Sequence, residues 1–164
     1  MRYSTIKYND VANAPGVCVS VYLQGCEQHC PHCFNQDTWD FDGGQDLTAQ
    51  DIDNIIKGLE ENGIHRNLCI LGGEPLHERN IFTTLLLVNT IKDKYPNKLI
   101  YIWTGYLYED LLQSTNPKIK IVLNKIDYLI DGPYIHELRD LTLKMRGSSN
   151  QRIINMKEGG RIEN

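Results

Sequence analysis

Three cysteines, Cys26, Cys30 and Cys33, fall within eight consecutive positions as C-x3-C-x2-C. Thiolates at these spacings on one loop can wrap a corner of a [4Fe–4S] cube, each sulfur on a different iron. The fourth iron then lacks a protein donor and can take a substrate. Structural zinc wants four ligands, usually as two separated pairs, so the spacing suits zinc less well. His29 and His32 nevertheless lie among the cysteines, and either completes a Cys3His set. Unligated thiols are the third reading and the poorest fit, since three such close cysteines rarely arise from packing alone. The other two, Cys18 and Cys69, sit in apolar runs and read as small buried side chains.

Two more motifs follow apolar runs. Gly72-Gly73-Glu74-Pro75 combines a flexible backbone with a carboxylate suited to a cationic group. The competing reading is an ordinary strand-to-helix turn with Pro75 opening the helix. Thr104 and Gly105 end another run, either as a ligand contact or as a turn.

These residues need elements to position them. Val17–Leu23 is rich in β-branched residues and reads as a buried strand, followed by a long loop over 27–44. Asp46 or Thr48 caps a helix carrying Ile52, Ile55, Ile56 and Leu59, which stops near Gly63. A strand over 68–71, an amphipathic helix over 80–95 ended by Pro96 and a strand over 99–103 come next. A short helix over 108–113, an ambiguous segment over 119–123 and a strand over 128–130 follow, the last running into Asp131-Gly132-Pro133. Ile153-Ile154 forms a final strand, and the polar tail from about residue 157 is expected to be flexible. Strands alternating with helices imply an α/β fold built of βαβ units. With roughly 30 residues per unit, a chain of 164 residues falls short of the ~250 of a complete eight-fold barrel. The expectation is a single domain over 1–164, folded as an incomplete, open β/α barrel with its chemistry at the C-terminal strand ends.

Composition excludes several classes. With 41% hydrophobic residues and a net charge of −4, the chain is neither a disordered tail nor a general nucleic-acid binder. Five cysteines behind an N-terminus without an apolar leader argue against a disulfide framework. No run approaches the ~20 apolar residues of a membrane span, so a cytoplasmic protein is expected.

The cysteine loop and Gly72-Gly73-Glu74-Pro75 together resemble the radical S-adenosylmethionine (radical SAM) superfamily. Five runs narrow the resemblance: GCEQHCPHCFNQDTW (25–39), LGGEPLH (71–77), IWTGY (102–106), LIDGPYI (129–135) and RGSSNQR (146–152). Together they resemble the activating proteins of the anaerobic, class III ribonucleotide reductase, from about residue 10 to 153. The resemblance implies the radical SAM type of open barrel, with one [4Fe–4S] cluster on Cys26, Cys30 and Cys33. It implies that S-adenosylmethionine chelates the open iron and is cleaved reductively, and that the resulting radical takes hydrogen from a glycine of the large reductase subunit. That subunit and an electron donor such as flavodoxin are the implied partners.

His32, Cys33 and Phe34 would then lie near the adenine, and Gly72, Gly73, Glu74 and Thr104 near the rest of the cofactor. Asn35 would bond the cluster or cofactor, or merely cap a turn. No side chain beyond the cluster ligands need act as acid or base. His32 departs from the glycine usual in this family at its position, which opens the prospect of an unplanned fourth ligand. Trp39 and Trp103 read as core or rim residues, and Arg146 to Arg152 as a partner or cofactor contact or a solvated turn. His65, His77 and His136 read as surface or turn histidines. The alternatives are an activase of the formate acetyltransferase type and, from another class, a zinc-stabilised binding module.

Overall fold

A computed structural model describes residues 1–164. Its elements in chain order are β1 (Arg2–Asp10), β2 (Val17–Leu23), β3 (Gln45–Asp46), α1 (Ala49–Gly58), β4 (Arg66–Gly72), α2 (Ile81–Lys94) and β5 (Ile100–Trp103). They continue with α3 (Tyr108–Leu112), α4 (Pro117–Lys125), β6 (Tyr128–Asp131), β7 (Arg152–Asn155) and β8 (Arg161–Ile162). All strands join one sheet in the order β3-β1-β2-β4-β5-β6-β7-β8. The central strands β2, β4, β5 and β6 are parallel, in a register that aligns Val21 with Ile70, Ile70 with Ile102, and Ile102 with Leu129. Antiparallel strands flank them on both sides.

Period-2 alternation sorts each central strand into two faces. Val19, Val21, Leu23, Leu68, Ile70, Ile100, Ile102 and Leu129 pack against Ile55 of α1, Leu87, Val88 and Ile91 of α2, and Val122 of α4. The other face carries Cys18, Cys69, Leu71, Tyr101, Ile130 and Ile153, with Ala14 and Met145 supplied by loops and no helix against it. A doubly wound sheet covers both faces with helices. Here one face is left to loops, and a cavity opens there. Cys18 and Cys69 are fully buried, as expected of small core side chains.

Local chemistry explains several boundaries. Thr48, rather than Asp46, caps α1 through a capping box: Asp51 N donates to Thr48 Oγ1 at 3.1 Å and Thr48 N to Asp51 Oδ2 at 2.8 Å. The ambiguous segment over 119–123 is helical, because Asn116 accepts from Lys118 N at 3.0 Å and Pro117 fills the first turn. β1 has no counterpart in the sequence reading; a register shift between Tyr3 and Thr5 moves its inward side chains from Tyr3 to Ile6, Tyr8 and Asp10, so no single period-2 pattern spans it. The tail expected to be flexible is paired, with Ile162 opposite Ile154 and Glu163 N donating to Ile153 O at 2.8 Å. Asn155 Oδ1 accepts from Lys157 N and Glu158 N, and Gly159 turns the chain back at φ 66°.

Candidate functional site

The cysteine loop leaves the end of β2 and is closed at its root. Gly25 N donates to Thr38 O at 2.6 Å, and Cys26 N to Trp39 O at 3.1 Å. The buried Gln24 adds bonds from Nε2 to Asp37 O at 3.0 Å and Asp40 O at 2.7 Å. Gly25 sits at φ 106°, and a Cβ there would lie 2.0 Å from the Phe41 ring. Inside the loop His29 and His32 both take left-handed backbone, at φ 45° and 59°. That conformation is uncommon outside glycine and costs energy, so two instances among the thiols mark a loop whose shape is imposed.

Cys26, Cys30 and Cys33 line one cavity of about 430 Å³ at the C-terminal ends of β2, β4 and β5. Phe34, Asn35, Gly72, Gly73, Glu74 and Thr104 line it too, so nine of the ten expected positions, all but His32, share a single cavity. Burial pushes the Cys26 and Cys30 thiols up, and Asn35 N donates to Cys33 Sγ at 3.3 Å. The two histidines that competed as ligands are engaged elsewhere. His29 stacks on Trp39 with centroids 4.5 Å apart, and His32 packs on His136 at 4.2 Å. No three His, Cys, Asp or Glu side chains converge as a single ion requires. A four-iron cube instead takes each thiolate at a separate corner. Three thiols spread around the mouth of a cavity fit that group.

Glu74 is 1% exposed, yet it borders the cavity. Thr104 Oγ1 donates to its Oε1 at 2.7 Å, Leu76 N to Oε1 at 3.1 Å, and Gly105 N to Oε2 at 2.7 Å. These bonds favour the ionised form, but burial outweighs them and holds the carboxyl up at about 7. A carboxylate has roughly four acceptor sites, so one remains for a cation arriving through the cavity. Thr104 and Gly105 therefore reach the site by orienting Glu74 as well as by lining the wall.

The paired glycines serve chiefly another contact. Gly73 N donates to Leu23 O at 2.9 Å and Glu74 N to Gly25 O at 2.8 Å. A Cβ on Gly73 would sit 2.3 Å from Gly25 O, and Gly72 takes φ 101°. The close approach that glycine permits is thus to the root of the cysteine loop.

The opposite rim comes from the RGSSNQR run, which braces the wall from within. Gln151 Oε1 accepts from Gly147 N at 2.9 Å and Ser148 N at 3.2 Å, while its Nε2 donates to Gly132 O at 3.0 Å. Asn150 Nδ2 donates to Pro133 O at 2.7 Å. Trp103 Nε1 donates to Met145 O at 2.8 Å, which fixes a strap carrying Leu141, Leu143 and Met145 along the cavity. Trp103 is accordingly a rim residue. His77 stands in a turn, its N donating to Glu74 O at 3.2 Å, and is buried there rather than at the surface: it faces the Phe41 ring at 4.7 Å, with Nε2 3.3 Å from Glu27 Oε2. Gln24 had no signal in the sequence, because a lone glutamine has no motif, and Gln151 was marked only as part of the RGSSNQR run.

Comparison with known proteins agrees with this geometry. A family model described as a 4Fe-4S single cluster domain matches residues 12–154. Proteins named anaerobic ribonucleoside-triphosphate reductase-activating protein match almost end to end. The one from Salmonella typhi is 39% identical over 92% of this chain and 96% of its own length. That from Escherichia coli is 37% identical over the same shares. The one from Enterobacteria phage T4 is 34% identical over 97% of each. The chain belongs to the family of anaerobic ribonucleoside-triphosphate reductase-activating proteins and carries that family's single 4Fe-4S cluster domain.

Proposed function

We propose that this chain activates an anaerobic ribonucleoside-triphosphate reductase as a radical SAM oxidoreductase. Its product is the glycyl radical of the large reductase subunit. The observation that carries the reading is one cavity of about 430 Å³ shared by three unpaired thiols and the Glu74 carboxylate. That volume lies within the range of small-molecule sites. Cys26, Cys30 and Cys33 hold the [4Fe–4S] cluster, and Glu74 accepts the methionine ammonium of S-adenosylmethionine. Held there, a reduced cluster would supply the one electron for cleavage of the sulfonium S–C5′ bond, with methionine as the leaving group and the 5′-deoxyadenosyl carbon as the acceptor of the glycine hydrogen.

The chain's own residues bind, orient and shield. Thr104 and Gly105 aim Glu74, Asn35 N–H stabilises the Cys33 sulfur, and Phe34 supplies an apolar surface for the adenine beside the backbone of His32 and Cys33. Leu143 and Met145 exclude water along the rim. We infer further that the sheet is the wall of an incomplete β/α barrel of the radical SAM type. Helices confined to one face, with the cavity on the other, support that reading. A soluble low-potential donor such as flavodoxin delivers the electron. No helix is long and apolar enough to cross a membrane.

The test is anaerobic. Protein reconstituted with iron and sulfide, reduced with dithionite and given S-adenosylmethionine releases 5′-deoxyadenosine. With the reductase present, a glycyl radical appears in the EPR spectrum. A colourless protein that holds zinc and forms no nucleoside sinks the reading. Nucleoside release with a radical formed only in a formate acetyltransferase redirects it to that partner.

A further inference from the structure

Asn80 stands at the N-cap of α2, where an Asn side chain ordinarily accepts from N–H groups of the first helical turn. It makes no capping bond. Its backbone, at φ −109° and ψ −21°, is outside the extended region usual for that role. Instead the buried carboxamide points back, and Nδ2 donates to Gly25 O at 3.1 Å and to Glu74 O at 3.0 Å. Gly25 immediately precedes Cys26, and Glu74 is the carboxylate of the site. Ile81 N donates to His77 O at 2.8 Å and Arg79 N to His77 Nδ1 at 3.1 Å, so His77 serves the turn that leads into α2 and the Asn80 side chain is left to bridge two loops.

We propose that Asn80 is a positioning residue that locks the cysteine loop to the Gly-Gly-Glu-Pro turn. The lock gives the metal-binding thiols and Glu74 one fixed spacing across the bound sulfonium substrate. Asn80 does not line the cavity, so it acts only through the two loops it joins. The inference rests on the function proposed above.

Two variants separate this role from helix stability. Asn80→Ser retains a residue that caps helices about as well as Asn, but its hydroxyl is too short to bridge both carbonyls. Asn80→Asp keeps the shape and turns an acceptor toward two acceptors. Both are reconstituted and compared with the unaltered protein for iron per chain, melting temperature and S-adenosylmethionine dissociation constant by equilibrium dialysis. The EPR spectrum of the reduced cluster is recorded with and without the substrate. The expected result for Asn80→Ser is unchanged iron content and a melting temperature only a few degrees lower, since the two lost bonds also hold the unliganded fold, with affinity weakened about tenfold. The spectral change on adding substrate shrinks with it, and Asn80→Asp loses affinity likewise. An Asn80→Ser protein that binds like the unaltered one overturns the proposal. So does one that loses iron, melting temperature and affinity together, since that marks a purely structural residue. Unaltered protein that fails to bind S-adenosylmethionine overturns the functional reading itself, and this assignment with it.

Discussion

Glu74 concentrates the chemistry of single residues. Its carboxyl is held up at about 7 by burial, against an ordinary value of 4.5. A raised folded-state value means that this group's stabilisation is complete below about pH 4.5 and is lost as pH rises through 7. Between pH 5 and 8 the unliganded protein should lose about 2–3 kcal/mol from this group, and urea melts of the Glu74→Gln variant should lack that slope. A cationic substrate needs the ionised carboxylate, so S-adenosylmethionine affinity should rise with pH through the same window. Glu74→Gln should weaken it by roughly ten- to a hundredfold, the worth of a charged hydrogen bond, and leave iron content unchanged. Alanine at Cys26, Cys30 or Cys33 should abolish 5′-deoxyadenosine release altogether, and release from any such reconstituted variant removes that cysteine from the ligand set.

At the scale of elements, two loops meet backbone to backbone and a strap closes the rim. Gly73→Ala drives a methyl to within 2.3 Å of Gly25 O. Neither backbone can yield without moving the cysteine loop or the turn into α2. An overpacking cost of about 2 kcal/mol should lower the melting temperature by about 4–8 °C and weaken iron loading. Gly63→Ala is the control for a surface glycine with open space around it, though its φ of 70° strains any side chain there. Trp103→Phe removes only the indole bond to Met145 O. It should free the strap, seen as faster limited proteolysis between residues 139 and 147, with the parallel strands still protected in hydrogen exchange.

The whole molecule is one mixed sheet whose flanks are pinned by long-range polar contacts. Arg152 of β7 forms an ion pair with the fully buried Asp131 at the end of β6 and a bidentate pair with Glu109 of α3, at 2.9 and 2.7 Å. Tyr108 N also donates to Asp131 Oδ2 at 2.8 Å. These contacts push the Arg152 guanidinium up and hold the Glu109 carboxyl down at about 2. Arg152→Ala leaves a buried carboxylate without its cation and should cost about 3–5 kcal/mol, read as a lowered urea midpoint. The cysteine loop, on the far side of β4 and β5 in the sheet order, should still load iron.

Much of the site was legible in the residue string, because its chemistry is local. Three thiols at fixed spacing, two glycines before a carboxylate and a Thr-Gly strand end each carry their own signal. The four central strands and the helices between them follow from periodicity and caps, which act within a few residues. The irregular pieces were not legible. β1 shifts the phase of its alternation at an irregularity after Tyr3, the tail gains order only by pairing with β7, and His77 is buried by a ring and a loop distant in sequence. The bridging roles of Gln24, Asn80 and Gln151 depend on which carbonyls the fold brings within reach of an amide. Sequence by itself marked the residues that come to line one cavity and determined the order of the elements that carry them. Tertiary structure alone decided that Gly73 packs on Gly25, that Glu74 is buried enough to titrate near neutrality, and that His32 turns toward His136. Each of those depends on atoms tens of residues apart meeting within a few ångströms, and no local pattern encodes such a meeting.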